Sequence, residues 1–163
     1  MLVIGGAQEA LDAKQGTYEM TLYRNGFVRQ ALIYGASLVP VISFGETDVF
    51  DVLHNPPGSL LRTFQELMKR YTGVAPVIFK GRQMFNPNGS GVFPIRSPIV
   101  SVVGAPIKCP KIGPDVYTDK KYESIVNEYH AKYVMALKEL WNKNKTQYAR
   151  KRLSSLHLAK APN

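Results

Sequence analysis

The chain has 163 residues, of which 45% are hydrophobic and 20% charged, so it can bury one core and fold as one domain. This composition excludes a disordered or low-complexity protein, and no stretch of about 18 uninterrupted apolar residues is present. The single cysteine, Cys109, excludes an internal disulfide and a metal site built from several cysteines.

The formal net charge of +9 is concentrated near the C-terminus. Residues 1–119 contain 11 basic and 9 acidic side chains, whereas residues 120–163 contain 10 basic and 3 acidic ones. A basic surface of this kind binds nucleic acid or an anionic membrane, or is simply solvated. Because neither a helix-turn-helix nor an aromatic RNA-binding signature is present, nucleic acid is not an expected partner.

The first 44 residues predict three extended segments and one helix. The extended segments are Leu2–Ile4, Thr17–Tyr23 and Leu38–Phe44, and the last is expected to be a buried strand that starts or becomes irregular at Pro40. The helix is predicted over residues 26–34, with Gly35 as its stop. Its predicted apolar face consists of Phe27, Val28, Ala31 and Leu32. A strand that opens at residue 2 leads us to expect a truncated domain.

After a break at residues 55–58, the pattern predicts a second helix over residues 60–71. Its apolar face would consist of Leu60, Leu61, Phe64, Leu67, Met68 and Tyr71. Strands are predicted at Val74–Phe79 and Ile99–Val103, separated by a loop over residues 86–91, and a turn is predicted at residues 104–107.

A long basic helix is predicted to follow, capped by Thr118 or Asp119. Its apolar face would consist of Tyr122, Ile125, Val126, Tyr129, Tyr133, Ala136, Leu137, Leu140 and Trp141. His130 lies on this side of the helix and is expected to be packed and hydrogen-bonded. Helices that alternate with apolar strands predict an α/β fold, in which helices flank an apolar sheet.

Motifs of known chemistry are sparse. The chain contains no phosphate-binding loop, no Gly-x-Ser-x-Gly and no cluster of histidines, since His54, His130 and His157 lie far apart. On residue patterns alone, the chain is therefore an α/β domain with a basic C-terminal region.

Three blocks near the N-terminus resemble the diacylglycerol and monoacylglycerol acyltransferase type 2 family. Residues 5–11, Gly-Gly-Ala-Gln-Glu-Ala-Leu, are similar to its Gly-Gly-Ala-x-Glu-[Ala/Ser]-Leu block. Residues 24–32 resemble its Arg-x-Gly-Phe-Val-[Lys/Arg]-x-Ala-Leu block, and residues 35–46 its Gly-Ala-x-Leu-Val-Pro-x-x-Ser-Phe-Gly-Glu block. Weaker matches follow in residues 98–107 and in the long helix. The blocks occur in family order and cover residues 2–148.

The resemblance implies a glycerolipid-acyltransferase-like fold, with residues 1–148 as the C-terminal part of one domain and residues 149–163 as a basic tail. Members transfer an acyl group from acyl-CoA to a glycerolipid hydroxyl in triacylglycerol synthesis. The family's His-Pro-His-Gly motif is thought to deprotonate that hydroxyl, a step worth about 10²–10⁴-fold in rate. This chain does not contain the motif. We therefore expect no catalytic residue in it and no activity from it alone.

For residues that contact substrate, the resemblance leads to four candidates. Glu9 would orient the acceptor or simply cap a helix. At least one of Arg24 and Arg29 would bind the phosphates of acyl-CoA, with solvated surface charge as the alternative. Glu46 follows a strand, where α/β sheets carry binding residues, and its alternative is a buried salt bridge.

The resemblance also implies partners and a location. No cofactor is expected, and acyl-CoA is a co-substrate beside a mono- or diacylglycerol. An anionic membrane surface, held by Arg150, Lys151 and Arg152 among others, and a second copy in a homo-oligomer are the other expected partners. The implied location is the cytosolic face of the endoplasmic reticulum membrane, through segments outside this chain. The alternative function is a non-catalytic, acyltransferase-like scaffold that binds lipid or a protein partner.

Overall fold

The computed structural model describes residues 2, 4, 9, 14–52, 58–72, 79–84, 90–150 and 152–159. The helices within these residues are α1 (Gly26–Tyr34), α2 (Leu60–Thr72) and α3 (Glu123–Tyr148). The strands are β1 (Glu19–Met20), β2 (Val41–Phe44), β3 (Asp51–Val52), β4 (Phe79–Arg82), β5 (Ser90–Gly91), β6 (Val100–Val103) and β7 (His157–Leu158). The predicted mixture of helices and strands is confirmed. In place of one flanked sheet, the described strands form three small sheets: β1–β7, β2–β6 and β3–β4–β5.

Helix α1 begins and ends where the sequence predicts. Its four predicted core residues are all buried: Phe27, Val28, Ala31 and Leu32. Gly35 has a left-handed backbone with φ of 67° and donates its N–H to the carbonyl of Ala31, which ends the helix. The core of the domain therefore includes the inner face of α1.

Strands β2 and β6 form an antiparallel pair, in which Val41 lies opposite Val103 and Phe44 opposite Val100. The pairing continues beyond the strands, because Leu38 and Ile107 exchange two hydrogen bonds of 2.9 and 2.8 Å. In β2 the buried side chains are Ile42 and Phe44, whereas Val41 and Val103 are exposed. The prediction of buried strands is thus right for only one face, as is usual for antiparallel pairs.

Helix α3 supplies the other side of the core. Asp119 caps the short 3₁₀ turn that leads into it, accepting a 3.0 Å hydrogen bond from the N–H of Lys121. The fully buried residues of α3 are Val126, Tyr133, Leu137 and Trp141, all from the predicted apolar face. Trp141 stacks on Phe44 with ring centroids 5.5 Å apart and contacts Tyr18 at 4.7 Å. Rings from β2, α3 and the segment before β1 therefore form one cluster.

Helix α2 has its predicted bounds to within one residue, but four residues of its predicted apolar face are exposed. The exposed fractions are 91% for Leu60, 55% for Phe64, 50% for Leu67 and 80% for Tyr71. On the opposite side, Arg62 and Gln65 are only 6% and 4% exposed. The helix is thus inverted relative to the usual arrangement, in which the apolar stripe packs against the core.

The basic tail folds back on the start of the described chain. Leu153 donates to the carbonyl of Gly16 at 2.8 Å, and His157 donates to that of Tyr18 at 2.9 Å. These bonds lead into the parallel pairing of β7 with β1. Ala149 is buried, so the described part of the tail packs against the rest of the domain.

The remaining predictions are only partly covered by the described residues. Leu2 and Ile4 do not lie in a strand, contrary to the prediction. Ser90 and Gly91 form β5 although a loop was predicted there. Residues 53–57, 73–78 and 85–89 lie outside the described residues. Most of the predicted break at residues 55–58, strand at residues 74–79 and loop at residues 86–91 falls in these gaps. Within the described residues, no helix is both long enough and apolar enough to cross a bilayer.

Candidate functional site

Glu9 lies beside the segment that contains β1. Its Oε1 accepts a 2.8 Å hydrogen bond from the N–H of Thr21, twelve residues away, and Thr21 is buried. Burial raises the pKa of the Glu9 carboxyl, the Thr21 N–H lowers it, and the carboxylates of Glu19 and Glu46 raise it further. Two of the four predicted site residues, Glu9 and Glu46, therefore interact electrostatically.

Glu46 lies in the 3₁₀ turn Glu46–Asp48 that follows β2 through Gly45. Its side chain is exposed, and it forms no ion pair with any described residue. The alternative of a buried salt bridge is therefore not seen. Gly45 has φ of 83°, and a Cβ there would lie 2.2 Å from the carbonyl oxygen of Pro98. The absence of a side chain at Gly45 therefore allows the turn to lie close to the segment before β6.

Arg29 lies on α1 and is largely buried, with 16% of its side chain exposed. Its Nη1 donates to the carbonyl of Val116 at 2.5 Å, and its Nη2 donates to Oε2 of Glu123 at 2.5 Å. The guanidinium also lies 5.6 Å from the ring centroid of Tyr117. Arg29 thus joins α1 to the start of α3, and a phosphate would have to compete with Glu123 for it.

Arg24 is exposed just before α1, and its guanidinium lies 5.7 Å from the ring centroid of Tyr23. It is available to solvent, unlike Arg29. The two arginines therefore differ in the contacts that the protein itself makes to them.

His130 is packed as expected, since its Nε2 lies 2.6 Å from the carbonyl oxygen of Leu22 and its ring contacts Phe27.

An open cavity of about 550 Å³ lies between the turn after β2, the segment before β6 and the C-terminal end of α3. Among the residues that the structure describes, its charged lining residues are Asp48, Arg96, Arg150 and Arg152. Asp48 is already used, because its Oδ1 accepts a 3.1 Å hydrogen bond from the N–H of Gly16. None of the four predicted site residues lines this cavity.

Arg152 has a structural role in the wall of this cavity. Its Nη1 donates to the carbonyls of Lys145 and Ala149 at 3.1 and 3.0 Å, and so satisfies carbonyl groups at the end of α3. The sequence predicts Arg152 only as a residue of a basic tail. Arg96 is not predicted as a site residue, because only the fold brings residue 96 close to residues 150 and 152.

The sequence model of the family described as "Diacylglycerol acyltransferase" matches residues 1–159. The chain belongs to the diacylglycerol acyltransferase family. The blocks that resemble the family in the sequence end at Tyr148, but the family match extends to residue 159 and includes β7. The part of the tail that packs against β1 is thus inside the family's shared region.

Individual family members are similar over most of this chain. Diacylglycerol O-acyltransferase 2 of Dictyostelium discoideum is 46% identical over 158 residues, which is 96% of this chain and 46% of that protein. The mouse 2-acylglycerol O-acyltransferase 1 is 42% identical, over 91% of this chain and 42% of its own length. Human diacylglycerol O-acyltransferase 2 is 40% identical, over 91% of this chain and 37% of its own.

The chain spans less than half the length of these family members. No solved structure matches it. Among the described residues, no group of three or more His, Cys, Asp or Glu side chains could hold a metal ion. The family assignment therefore depends on sequence similarity, and the geometry of the candidate site comes from this structure.

Proposed function

We propose that this chain is the C-terminal portion of an acyl-CoA-dependent O-acyltransferase that acylates a glycerolipid hydroxyl in triacylglycerol synthesis. The observation that carries the proposal is the family match over residues 1–159, together with relatives named as diacylglycerol and 2-acylglycerol O-acyltransferases. Location at the cytosolic face of the endoplasmic reticulum membrane and association with a second copy are part of the proposal.

The roles of individual residues are part of this proposal. Glu9, whose pKa is raised by burial, would accept a hydrogen bond from the acceptor alcohol, and Glu46 would contact substrate as well. Proton removal would fall to the His-Pro-His-Gly motif that the resemblance implies and this chain lacks. In this arrangement the chain would supply contacts to the substrates, and segments outside it would supply the catalytic base.

A segment exchange tests this function. Residues 1–159 replace the matching segment of the Dictyostelium relative, and the chimera is produced in cells that make no triacylglycerol. We expect the chimera to form labelled triacylglycerol from acyl-CoA and the 163-residue chain alone to form none above background. A chimera that is folded and abundant but inactive would support the non-catalytic scaffold instead. Robust product from the chain alone would place the base among its own residues.

The proposal includes an anionic membrane surface as a partner. Each Lys or Arg near such a surface contributes about 1 kcal/mol of attraction, which falls off within roughly 8 Å. Lys138 and Lys143 suit a test better than Arg152, because both are exposed and Arg152 binds the end of α3. We expect the chain to sediment with phosphatidylserine-containing liposomes at low salt, and to be released at about 0.5 M NaCl.

The double variant Lys138→Glu/Lys143→Glu should lose most of this binding without a change in melting temperature. Liposomes of neutral lipid are the matched control and should bind neither protein. Equal binding to neutral and anionic liposomes would contradict the electrostatic account, and would point to the exposed apolar side of α2 as the contact.

A further inference from the structure

The cavity at the end of α3 has an excess of positive charge. Its described lining residues include three arginines and one acidic residue, Asp48, whose carboxylate already binds a backbone N–H. Guanidinium groups present forked pairs of donors that match the oxygens of a phosphate. The cavity therefore favours an anionic group with several acceptor oxygens.

Two of the three guanidinium groups have no partner in the described structure. Arg96 and Arg150 are exposed and make no hydrogen bond or ion pair, in contrast to Arg29 and Arg62. Arg152 uses one nitrogen, Nη1, on the carbonyls of α3, which fixes the position of its guanidinium. The site thus combines one anchored arginine with two whose donors are available to a ligand.

An aromatic side chain forms part of the same wall. Tyr148 is 36% exposed, and its ring is held against Phe44 at a centroid distance of 5.7 Å. A base stacks on such a ring, whereas the glycerol of a lipid headgroup does not. The cavity volume of about 550 Å³ lies within the roughly 300–1,000 Å³ that small-molecule sites occupy.

We propose that this cavity binds the phosphate groups of a nucleotide, through Arg96 and Arg150, with the base near Tyr148. Resting on the proposed function, the nucleotide is the adenosine bisphosphate end of acyl-CoA. In this arrangement acyl-CoA contacts the C-terminal end of α3, and Arg29 keeps its ion pair with Glu123.

Direct binding tests this assignment without turnover. Adenosine 3′,5′-bisphosphate is titrated into the 163-residue chain by calorimetry, for the wild type and for Arg96→Ala/Arg150→Ala. Loss of two charge-assisted contacts should weaken binding by about tenfold or more. Lys108→Ala, which removes an exposed cation that does not line the cavity, is the matched control and should bind like the wild type.

Glycerol 3-phosphate, titrated in parallel, separates a nucleotide from a lipid headgroup. Binding of the bisphosphate that depends on the two arginines supports the assignment, even if the segment exchange yields no active enzyme. Equal binding by wild type and double variant, no binding by either, or preference for glycerol 3-phosphate would each overturn it. An active chimera without arginine-dependent binding would overturn the cavity assignment and leave the acyltransferase function intact.

Discussion

Gly45→Ala is expected to lower the free energy of unfolding by about 3 kcal/mol or more. Gly45 has φ of 83°, which disfavours a Cβ, and that Cβ would lie 2.2 Å from the carbonyl oxygen of Pro98. Because the clash is with backbone, the turn after β2 or the segment before β6 must move. Urea denaturation followed by the fluorescence of Trp141, the single tryptophan, measures the loss.

The matched control is Gly26→Ala at the start of α1. A Cβ at Gly26 meets no atom within 4 Å, so this variant should be neutral or more stable by up to about 1 kcal/mol. Comparable midpoints for the two variants would contradict the role given to Gly45. A loss of unfolding free energy in Gly45→Ala alone would indicate that this glycine, part of the family's Ser-Phe-Gly-Glu block, is required for close packing of the turn.

Arg29→Ala is expected to lower the free energy of unfolding by about 2–3 kcal/mol. The substitution leaves the carbonyl of the buried Val116 without its donor and Glu123 without its cation. Arg24→Ala is the matched control, since Arg24 is exposed and, among the described residues, has no hydrogen bond or ion pair beside its contact with the Tyr23 ring. It should change stability by less than about 0.5 kcal/mol. Thermal and urea unfolding measure both variants.

A double-mutant cycle of Arg29 with Glu123 separates the two interpretations of Arg29. If Arg29 joins α1 to α3, Arg29→Ala and Glu123→Ala should be strongly non-additive in a double-mutant cycle. In an active segment-exchanged enzyme, the KM for acyl-CoA should then stay near the wild-type value. A KM raised about tenfold or more with normal stability would instead assign Arg29 to phosphate binding, as the sequence resemblance predicts.

Local rules predict the helices of this protein well. Helix α1 combines one apolar face with a C-terminal glycine, and α3 follows a capping aspartate, so their bounds depend on residues close in sequence. The strands are harder, because a run such as Val41–Phe44 is apolar whether one face is covered or both. Antiparallel pairing of β2 with β6 leaves Val41 exposed, and no local pattern distinguishes that outcome.

Helix α2 illustrates a different limit. The spacing of Leu60, Phe64, Leu67 and Tyr71 identifies a helix correctly, but it does not say what the apolar face contacts. Burial of Arg62 and Gln65 on the other side depends on neighbours that sequence periodicity does not reveal. A hydrophobic stripe is therefore evidence for a helix and not, by itself, for the position of the core.

The candidate site is also only partly predictable from the sequence. Glu9 and Glu46 are predicted from the family blocks, and the Glu46 carboxylate contributes to the raised pKa of Glu9 after burial, the main cause. The arginine-lined cavity is not predicted, because residues 48, 96 and 150 come together only through the β2–β6 pairing and the end of α3. A basic cluster at residues 150–152 is visible in the sequence, whereas its partner at residue 96 is not.

Pairing of Glu19 with His157 has a consequence for how the protein is made. At translation rates of about 5–20 residues per second, β1 leaves the ribosome on the order of ten seconds before β7 exists. During that interval the carbonyls of Gly16, Tyr18 and Met20 lack the donors that residues 153–159 later provide. The nascent chain thus presents an open backbone edge beside aromatic side chains, the kind of surface to which chaperones bind. The β1–β7 pair can therefore form only after residues 153–159 have been synthesised.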